Sequence, residues 1–257
     1  MKFNRSLRQI VFFAWFAMPL LSFGDDQAHA LFLQGNAFYT IAQYSNALNA
    51  YHKLLDEGYQ STAVYFNMAN AYYKNGDIPS AILYYEKAHK LSPGDEDINF
   101  NLKYANLKTA DKVEAAPEFF LNRWWKRVIL AFPLRVLSAW SIIFVLLASG
   151  TLVVYFFANS VPVKKTSFSI SVILFFLGIT SVFMASRQAS YFDDHRGAIV
   201  FSGIVTVKNG PVEQSGILFV IHDGTRVDIL DNNNGWLKIR LANGNEGWIH
   251  QSDVKEI

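Results

Sequence analysis

Two long stretches without a charged residue dominate the hydrophobic pattern of this chain. The first, Val136 to Phe157, would extend about 33 Å as an α-helix at about 1.5 Å per residue, and the second runs from Phe168 to Ser186. Both reach the roughly 18 residues that a membrane-spanning helix needs, whereas a core helix usually keeps a polar face. The pattern predicts transmembrane helices at residues 136–157 and 168–187, with two core helices of a soluble protein as the alternative.

The residues between the two apolar stretches are predicted to form a tight basic loop, residues 158–167, that carries Lys164 and Lys165. A loop of this length allows only a direct return across the membrane. The segments before residue 136 and after residue 187 must therefore lie on the same side.

The N-terminus has the pattern of a secretory signal peptide at residues 1–24. Three basic residues precede an apolar run from Ile10 to Phe23, and Ser22-Phe23-Gly24 forms a small-x-small cleavage pattern. Cleavage after Ala30 and an uncleaved anchor are the alternatives. Export of the following chain would make this a multi-pass protein of the inner (cytoplasmic) membrane with its soluble domains on the periplasmic side.

The charges around the hairpin taken alone favour the opposite orientation. Four basic residues precede the first span and outnumber the two loop lysines: Arg123, Lys126, Arg127 and Arg135. The positive-inside rule would place this cluster in the cytoplasm. We follow the signal sequence, because export of the N-terminal segment precedes insertion of the hairpin.

A repeat becomes visible when the chain is compared with itself at a shift of 34 positions. Identities include Phe32/Phe66, Asn36/Asn70, Tyr39/Tyr73, Ala47/Ala81 and Tyr51/Tyr85. The segment from Val64 to Pro93 resembles the tetratricopeptide repeat, which implies paired antiparallel helices. The first copy departs from the pattern with Gln34 at an apolar position and Ala42 at the turn glycine.

Residues 25–110 are therefore predicted to hold two repeats and a capping helix, in which Ile98, Leu102 and Ala105 recur at helical spacing. Arrays of this kind usually need about three units for stability. We expect support from the membrane-proximal helix or from a partner protein.

The resemblance to tetratricopeptide repeats implies a peptide-binding groove on the concave face formed by the first helices. Phe32 and Phe66 replace the lysines of the chaperone-type carboxylate clamp, so we expect a groove lined by apolar and aromatic side chains. The alternative for Asn36 and Asn70 is that the scaffold itself requires asparagine there. The predicted lining is Phe32, Asn36, Tyr39, Phe66, Asn70, Tyr73, Lys74, Tyr104 and Lys108.

Residues 111–135 are predicted to be a polar linker followed by an amphipathic helix. Leu121, Trp124, Trp125 and Val128 recur at helical spacing, with basic residues off that stripe. Adjacent tryptophans beside basic side chains are typical of a helix in the lipid headgroup layer. Packing of this helix against the repeats is the alternative.

The C-terminal segment, residues 197–257, alternates apolar and polar residues in short runs separated by turns such as Asn243-Gly244. It is similar to bacterial SH3-like domains in Gly224-Thr225, Trp236 and Gly247-Trp248-Ile249, which implies a small barrel of five or so strands. We interpret Trp236 and Trp248 as packing residues in preference to ligand-stacking residues.

Composition adds mainly exclusions. The chain has no cysteine, which removes disulfides, thiol nucleophiles and cysteine-ligated metals. The net charge of +2 depends on basic residues of the first ten positions, which argues against nucleic-acid binding. No metal-binding or nucleophile motif occurs, and the cluster Asp193-Asp194-His195 is interpreted as the polar exit of a helix. We expect no catalytic residue, metal or cofactor.

The sequence thus predicts a multidomain membrane protein with an all-α tetratricopeptide repeat domain, a two-helix transmembrane hairpin and a C-terminal all-β SH3-like barrel. This order resembles the BatE-type membrane proteins of the Bacteroides aerotolerance operon. The resemblance implies work beside von Willebrand factor A-domain membrane proteins and a MoxR-type ATPase in oxygen tolerance or envelope stress.

Three functions remain open from the sequence. The main hypothesis is a non-enzymatic scaffold whose repeats bind an extended segment of a membrane partner. The alternative is a cell-wall (peptidoglycan) binding module that acts through the SH3-like tail. The third, an enzyme with an unrecognised site, has no motif in its favour.

Overall fold

The computed structural model describes residues 26–257, so the predicted signal peptide at residues 1–24 lies outside the described part of the chain. The fold is a helical, tetratricopeptide-like region, followed by two long apolar helices and a C-terminal antiparallel β domain. This is the fold class that the sequence predicts.

The helical region consists of two helix pairs and a single final helix. They are α1 (Asp26–Thr40), α2 (Tyr44–Asp56), α3 (Thr62–Lys74), α4 (Ile78–Leu91) and α5 (Glu96–Asn106). Side-chain caps fix three of the starts, because the oxygens of Ser61, Asp77 and Asp95 accept backbone N–H groups of the following turn. Small Ala47, Ala69 and Ala81 are fully buried between the helices and allow their close approach.

The two repeats turn between their helices at equivalent positions with the same unusual backbone conformation. Gly76 has a φ of +86°, and Ala42, which lies 34 positions earlier, has a φ of +58°. A left-handed backbone is unstrained for glycine but strained for alanine. The first repeat therefore keeps the turn of the family in spite of its departure from the glycine pattern.

The apolar stretches form an antiparallel hairpin of α7 (Leu134–Phe157) and α8 (Val161–Asp194), preceded by the amphipathic helix α6 (Phe120–Ile129). The prediction of a loop at residues 158–167 is wrong. Only Ala158 to Ser160 connect the helices, and both Lys164 and Lys165 belong to α8. The physical reason is Pro162, which is favourable in the first turn of a helix and starts α8 early.

Both hairpin helices are long and apolar enough to cross a membrane. Within their most apolar windows only 11% and 17% of the residues are buried, whereas a core helix of a soluble protein is mostly buried. Their contact includes a hydrogen bond from the Ser171 hydroxyl to the Ala148 carbonyl oxygen at 2.9 Å, and the close packing of Gly178 against Val145. These features are consistent with a membrane-anchored protein.

Helix α6 packs against the end of α8, and the turn that follows α6 also approaches the repeats, because a Cβ atom added to Gly94 would lie 2.5 Å from the Ala131 carbonyl oxygen. The rings of Trp125 and Phe183 lie 6.4 Å apart, and Lys126 Nζ lies 5.3 Å from the centre of the Tyr191 ring. The buried amide of Gln188 donates to the carbonyl oxygens of Ile129 and Phe132, at the corner between α6 and α7. Position in the headgroup layer stays a prediction.

The C-terminal domain is a seven-stranded antiparallel sheet with the order β3-β2-β6-β5-β4-β1-β7. The expectation of five or so strands is too low, because β1 and β7 are too short to show a clear alternating pattern. The strands are β1 (Gly197–Val200), β2 (Ile204–Lys208), β3 (Ile217–His222), β4 (Arg226–Asn233), β5 (Trp236–Arg240), β6 (Glu246–His250) and β7 (Val254–Glu256).

The barrel supports the short repeat array directly. Ile199 of β1 is fully buried in a cluster with Ala81 and Ile82 of α4, and Arg226 forms an ion pair with Glu86 at 3.2 Å. The sequence led us to expect this support from the membrane-proximal helix or a partner. It was not foreseeable, because Ile199 stands in the continuous apolar run from Ala198 to Phe201, which does not indicate which side chains face the barrel's own core and which face another domain.

Candidate functional site

The candidate peptide-binding surface is formed by the first helices α1, α3 and α5. Phe32, Phe66 and Phe100 occupy equivalent positions on these helices, at intervals of 34 residues. The ring of Phe32 lies 6.3 Å from that of Tyr51, and the ring of Phe66 lies 5.9 Å from that of Tyr85. Phe32 and Phe66 therefore make equivalent ring contacts in the two repeats. We call Phe32, Phe66 and Phe100 the phenylalanine row.

The phenylalanine row becomes more exposed along the array. Phe32 and Phe66 are half-buried, whereas Phe100 is 69% exposed. The ring of Phe100 stacks on that of Tyr104 at 6.5 Å, and the Tyr104 ring lies 5.8 Å from Tyr73. The groove therefore ends at α5 in an exposed aromatic cluster. Within residues 26–257 no further repeat follows α5 to cover this cluster.

The two predicted asparagines hold the scaffold together. Asn36 Oδ1 accepts hydrogen bonds from the Tyr51 hydroxyl at 2.7 Å and from Asn67 Nδ2 at 2.8 Å. In the second repeat, Asn70 Oδ1 accepts from the Tyr85 hydroxyl at 2.5 Å and from Asn101 Nδ2 at 3.5 Å. The recurrence of asparagine follows from this bridge between consecutive first helices, which supports the scaffold alternative for these two residues.

Burial keeps the two tyrosines of these bridges protonated. Desolvation raises the pKa of Tyr51 to about 12 and raises the pKa of Tyr85 further. Both hydroxyls can therefore donate to the asparagines at any physiological pH.

The remaining predicted residues lie at the ends of the first helices. Tyr39 contacts Tyr44 at a ring distance of 5.5 Å, and Tyr73 is half-buried. Lys74 and Lys108, again 34 residues apart, are both exposed. The structure thus places all nine predicted residues on or beside α1, α3 and α5, with lysines at one end of the surface.

Sequence reasoning missed Phe100, Leu107 and the partners Asn67 and Asn101. The 34-residue shift contains their signal, because it maps Phe66 onto Phe100, Tyr73 onto Leu107 and Asn67 onto Asn101. The identities are fewer in the capping helix, which makes the period harder to recognise there.

A second polar site joins the segment after α5 to the turn between β3 and β4. The carboxylate of Asp111 accepts from the His222 backbone N–H at 2.7 Å, from His222 Nδ1 at 2.8 Å and from the Thr225 hydroxyl at 2.7 Å. Burial opposes the charge, but these hydrogen bonds outweigh it and lower the pKa of Asp111. We call this contact the Asp111 latch; no local sequence signal marks it, because its partners lie more than 100 residues away.

The glycine of the same turn also faces the segment after the repeats. Gly224 has a φ of +80°, and a Cβ atom added there would collide with the side chain of Thr109. Beyond the latch, the Ala116 N–H donates to the Ala242 carbonyl oxygen at 2.9 Å. The first part of the predicted linker is therefore bound along the barrel.

The barrel tryptophan Trp236 is a packing residue, as interpreted from the sequence. It is 8% exposed, its ring lies 3.8 Å from that of His250, and Lys208 Nζ lies 5.2 Å from the ring centre. Exposed apolar side chains occur instead around β2 and the edge strand β3, at Ile204, Ile217 and Leu218.

Across residues 26–257, no group of histidine and acidic side chains has the arrangement of a metal site. Asp193 and Asp194 end α8, and the His195 ring stacks on that of Tyr191 at 4.5 Å.

Two family models match segments of the chain. Residues 62–95 match the family model of the tetratricopeptide repeat, and residues 204–255 match that of the bacterial SH3 domain. Both domain types are typically non-catalytic and support a role in protein interaction or cell-wall binding. No curated protein matches the chain.

Three solved structures show similarity to parts of the chain. The C-terminal SH3 domain of myosin IB from Entamoeba histolytica is 26% identical, over 25% of this chain and 95% of that one, with a TM-score of 0.18. An NlpC/P60 family protein from Bacillus cereus is 17% identical, over 28% of this chain and 23% of that one, with a TM-score of 0.21. A TPR repeats protein from Bacteroides fragilis is 13% identical, over 64% of this chain and 76% of that one, with a TM-score of 0.29.

Proposed function

We propose that this protein is a non-enzymatic, membrane-anchored scaffold whose repeats bind an extended apolar segment of a partner protein. The observation that carries this proposal is the phenylalanine row across α1, α3 and α5, which ends in the exposed rings of Phe100 and Tyr104. Exposed aromatic residues in a row are typical of a binding surface, because their burial by a partner is favourable.

The position of the barrel leaves this surface available. The barrel contacts α4 and the segment that follows α5, through Ile199, Arg226 and the Asp111 latch. The cluster of Ile199 also includes Ala105 of α5, but Phe100 on the same helix is 69% exposed. The two domains can therefore pack together while the first helices bind a partner.

The spacing of the row indicates the pattern of the bound segment. Packed helices lie about 8–10 Å apart, and an extended peptide in the polyproline II conformation advances about 3.1 Å per residue with three residues per turn. The row would therefore accept apolar side chains about every third residue of an extended peptide. Exposed Lys74 and Lys108 at the helix ends favour acidic residues in or beside that segment.

The resemblance to BatE-type proteins supports a finer proposal. The partners would be von Willebrand factor A-domain membrane proteins and a MoxR-type ATPase complex, in aerotolerance or envelope stress at the periplasmic side of the inner membrane. Attachment of two domains to one membrane raises the effective concentration of each for partners bound to the other.

Crosslinking in native membranes followed by mass spectrometry tests the scaffold function. We would compare the intact protein with Phe100→Ala/Tyr104→Ala and with Phe66→Ala/Tyr73→Ala. The matched control is Ile204→Ala, which removes an equally exposed apolar side chain from the barrel. We expect both double variants to lose the same partner, by at least fivefold, while the control keeps it.

The first double variant is the sharper test, because Phe100 and Tyr104 are exposed and their loss should not affect folding. An unchanged partner set in that variant would overturn the groove assignment. Loss of partners only in the control would move the binding surface to the barrel.

A second candidate function is cell-wall (peptidoglycan) binding through the barrel. The match of residues 204–255 to the bacterial SH3 domain favours it, together with the uncovered apolar side chains of β2 and β3. A pull-down on isolated cell wall tests it: retention that depends on residues 197–257 would favour this candidate over the scaffold.

A further inference from the structure

A cavity of about 180 Å³ lies where the repeats, α6, the end of α8 and the barrel meet. It is large enough for several water molecules or a small polar group. Its lining combines Lys90 of α4, Lys126 of α6, Tyr191 and Phe192 of α8, and Arg226 of β4. Four parts of the chain therefore converge on one polar site. The proposed peptide-binding groove does not involve this site.

The lining of this cavity has an excess of positive charge. Arg226 is already paired with Glu86 and with Asp228. Glu86 is the acidic side chain that lines the cavity. Lys90 Nζ makes only a long hydrogen bond of 3.4 Å to the Ile257 carbonyl oxygen, and Lys126 Nζ lies over the Tyr191 ring. Neither lysine has an acidic side chain within 4 Å among residues 26–257, so both charges are available to a ligand.

Two histidines add hydrogen-bonding capacity to the same wall. His89 and His195 both line the cavity. Nδ1 of His89 is buried and has no hydrogen-bond partner within the described structure, and desolvation lowers the pKa of this histidine. An unpartnered buried ring nitrogen beside two lysines that have no acidic side-chain partner indicates a site that a ligand completes.

A larger cavity of about 550 Å³ adjoins the first and continues toward the membrane hairpin. The two share Lys90, Phe192 and Ile257, and the second is also lined by Leu134, Ala189 and Arg135. Of its two acidic residues, Glu256 is paired with Arg196, whereas Asp193 forms no ion pair with a side chain of residues 26–257. The polar cavity therefore opens onto a mixed wall at the start of α7 and the end of α8, where apolar Leu134, Ala189 and Phe192 lie beside charged Arg135 and Asp193.

The larger cavity reaches the depth of the lipid headgroup layer. Ala189, Tyr191 and His195 follow the last residue of the apolar stretch, Ser186, by three, five and nine residues. The headgroup layer extends about 5–8 Å beyond the hydrocarbon core, so at about 1.5 Å per residue Ala189 lies within it, Tyr191 at its outer edge and His195 beyond it.

We propose that Lys90 and Lys126 bind the phosphate group of an anionic phospholipid in this cavity, with the glycerol and acyl chains along Leu134 and Phe192. The lysines supply two point charges for the phosphate, and the bound lipid would join the repeats, α6 and the hairpin. Lipid binding at this site would also explain why Lys126 and Arg135 precede the first span. The positive-inside rule alone would place these basic residues in the cytoplasm, opposite to the orientation that the signal sequence predicts.

Native mass spectrometry of the full chain in detergent micelles tests the proposal. The protein would be titrated with dioctanoyl phosphatidylglycerol, dioctanoyl phosphatidylcholine and inorganic phosphate. We expect phosphatidylglycerol to bind at least fivefold more tightly than phosphatidylcholine, because the choline cation would be repelled. The variant Lys90→Gln/Lys126→Gln should lose this preference to within twofold.

The matched control is Lys53→Gln/Lys103→Gln, which removes two exposed lysines of the repeats and should keep the preference. Circular dichroism and the melting temperature of each variant check folding, and Lys90→Gln alone replaces the double variant if that variant unfolds. Equal binding of the two lipids, an unchanged double variant or an equal loss in the control would overturn the proposal. Displacement of phosphatidylglycerol by inorganic phosphate at similar concentration would overturn the lipid source and assign the site to the free anion.

Discussion

At the scale of single residues, the two repeats show how one backbone accepts different side chains at equivalent positions. Ala42 takes the left-handed conformation that Gly76 takes in the second repeat. Asn36 and Asn70 form the same bridges to a tyrosine of the second helix and to an asparagine of the next first helix. The repeat conserves its hydrogen bonds while it tolerates strain at the turn.

Replacement of Ala42 by glycine should stabilise the protein. Relief of the left-handed alanine is worth about 1–2 kcal/mol, and the added freedom of the unfolded chain offsets about 0.4–1 kcal/mol of this. We expect a net gain of about 0–1.6 kcal/mol in the free energy of unfolding, measured by denaturant titration in detergent. Ala37→Gly, in the interior of α1, is the control and should destabilise by about 1 kcal/mol. A loss of stability in Ala42→Gly would contradict the strain argument.

The bridge at Asn70 should behave as a coupled pair. Asn70→Ala leaves the Tyr85 hydroxyl without its acceptor and should cost about 1–3 kcal/mol of unfolding free energy. Tyr85→Phe in the same chain removes the orphaned hydroxyl, so the double variant should lose less than the sum of the single ones. Additive losses in this double-mutant cycle would show that the hydrogen bond contributes nothing specific.

At the scale of elements, α6 and the linker after α5 take their positions from contacts distant in sequence, whereas the start of α8 is set locally. The connection within the hairpin shrinks to three residues because Pro162 begins α8, and α6 is held at the end of α8 by Trp125 and Gln188. The segment after α5 is bound to the barrel by the Asp111 latch. The sequence predicted α6 and the linker as elements, but it did not predict the residues of α8 and of the barrel against which they pack.

The Asp111 latch should depend on pH in the acidic range. The pKa of Asp111 in the folded protein is lower than its ordinary value of 3.8, so the ionised carboxylate stabilises the fold above that value. This stabilisation is lost as the pH falls through the lowered folded-state pKa. The loss of unfolding free energy caused by Asp111→Asn should therefore be smaller below pH 3.8 than at pH 5.

The control for the latch is Asp223→Asn, which removes the same charge from the same turn. Guanidinium unfolding of each variant in detergent across this pH range gives the comparison. A pH-independent effect of Asp111→Asn, or an equal effect of the control, would show that the latch is not an ionic contact.

At the scale of the whole molecule, the hairpin and the contact between repeats and barrel support each other. A hairpin returns the chain to the side from which it entered, and the ion pair between Arg226 and Glu86 joins domains that flank it. The lipid cavity lies at the same junction, beside the end of α8. The end of the membrane hairpin, the contact between repeats and barrel, and the proposed lipid site therefore lie next to one another.

The natural absence of cysteine permits a direct test of this topology. Single variants Lys53→Cys in the repeats and Gln214→Cys in the barrel should react with an impermeant maleimide from the same side of the membrane. Lys165→Cys, near the start of α8, should react only from the other side. Labelling of the first two in intact spheroplasts would support the periplasmic orientation, and their labelling from opposite sides would contradict the hairpin.

Much of the fold followed from local patterns, and the binding surface followed in part. Uncharged stretches, the 34-residue period and alternating strands are properties of short segments, so their element types could be predicted. Phe100 was also within reach, because it lies one period after Phe66. The latch and the barrel-to-repeat contact were not, since their residues are apart in sequence and each pattern fits a local role equally well.

The sequence by itself determined the elements of this protein: two apolar helices, a pair of helical repeats and an alternating β domain. Hydrophobic periodicity sets which face of each element must be buried, and that is a local property. Only the tertiary structure decided what covers those faces, such as Ile199 on α4, and where charges converge, such as Lys90 with Lys126. Those choices depend on complementary shape and charge between distant segments, which no single segment contains.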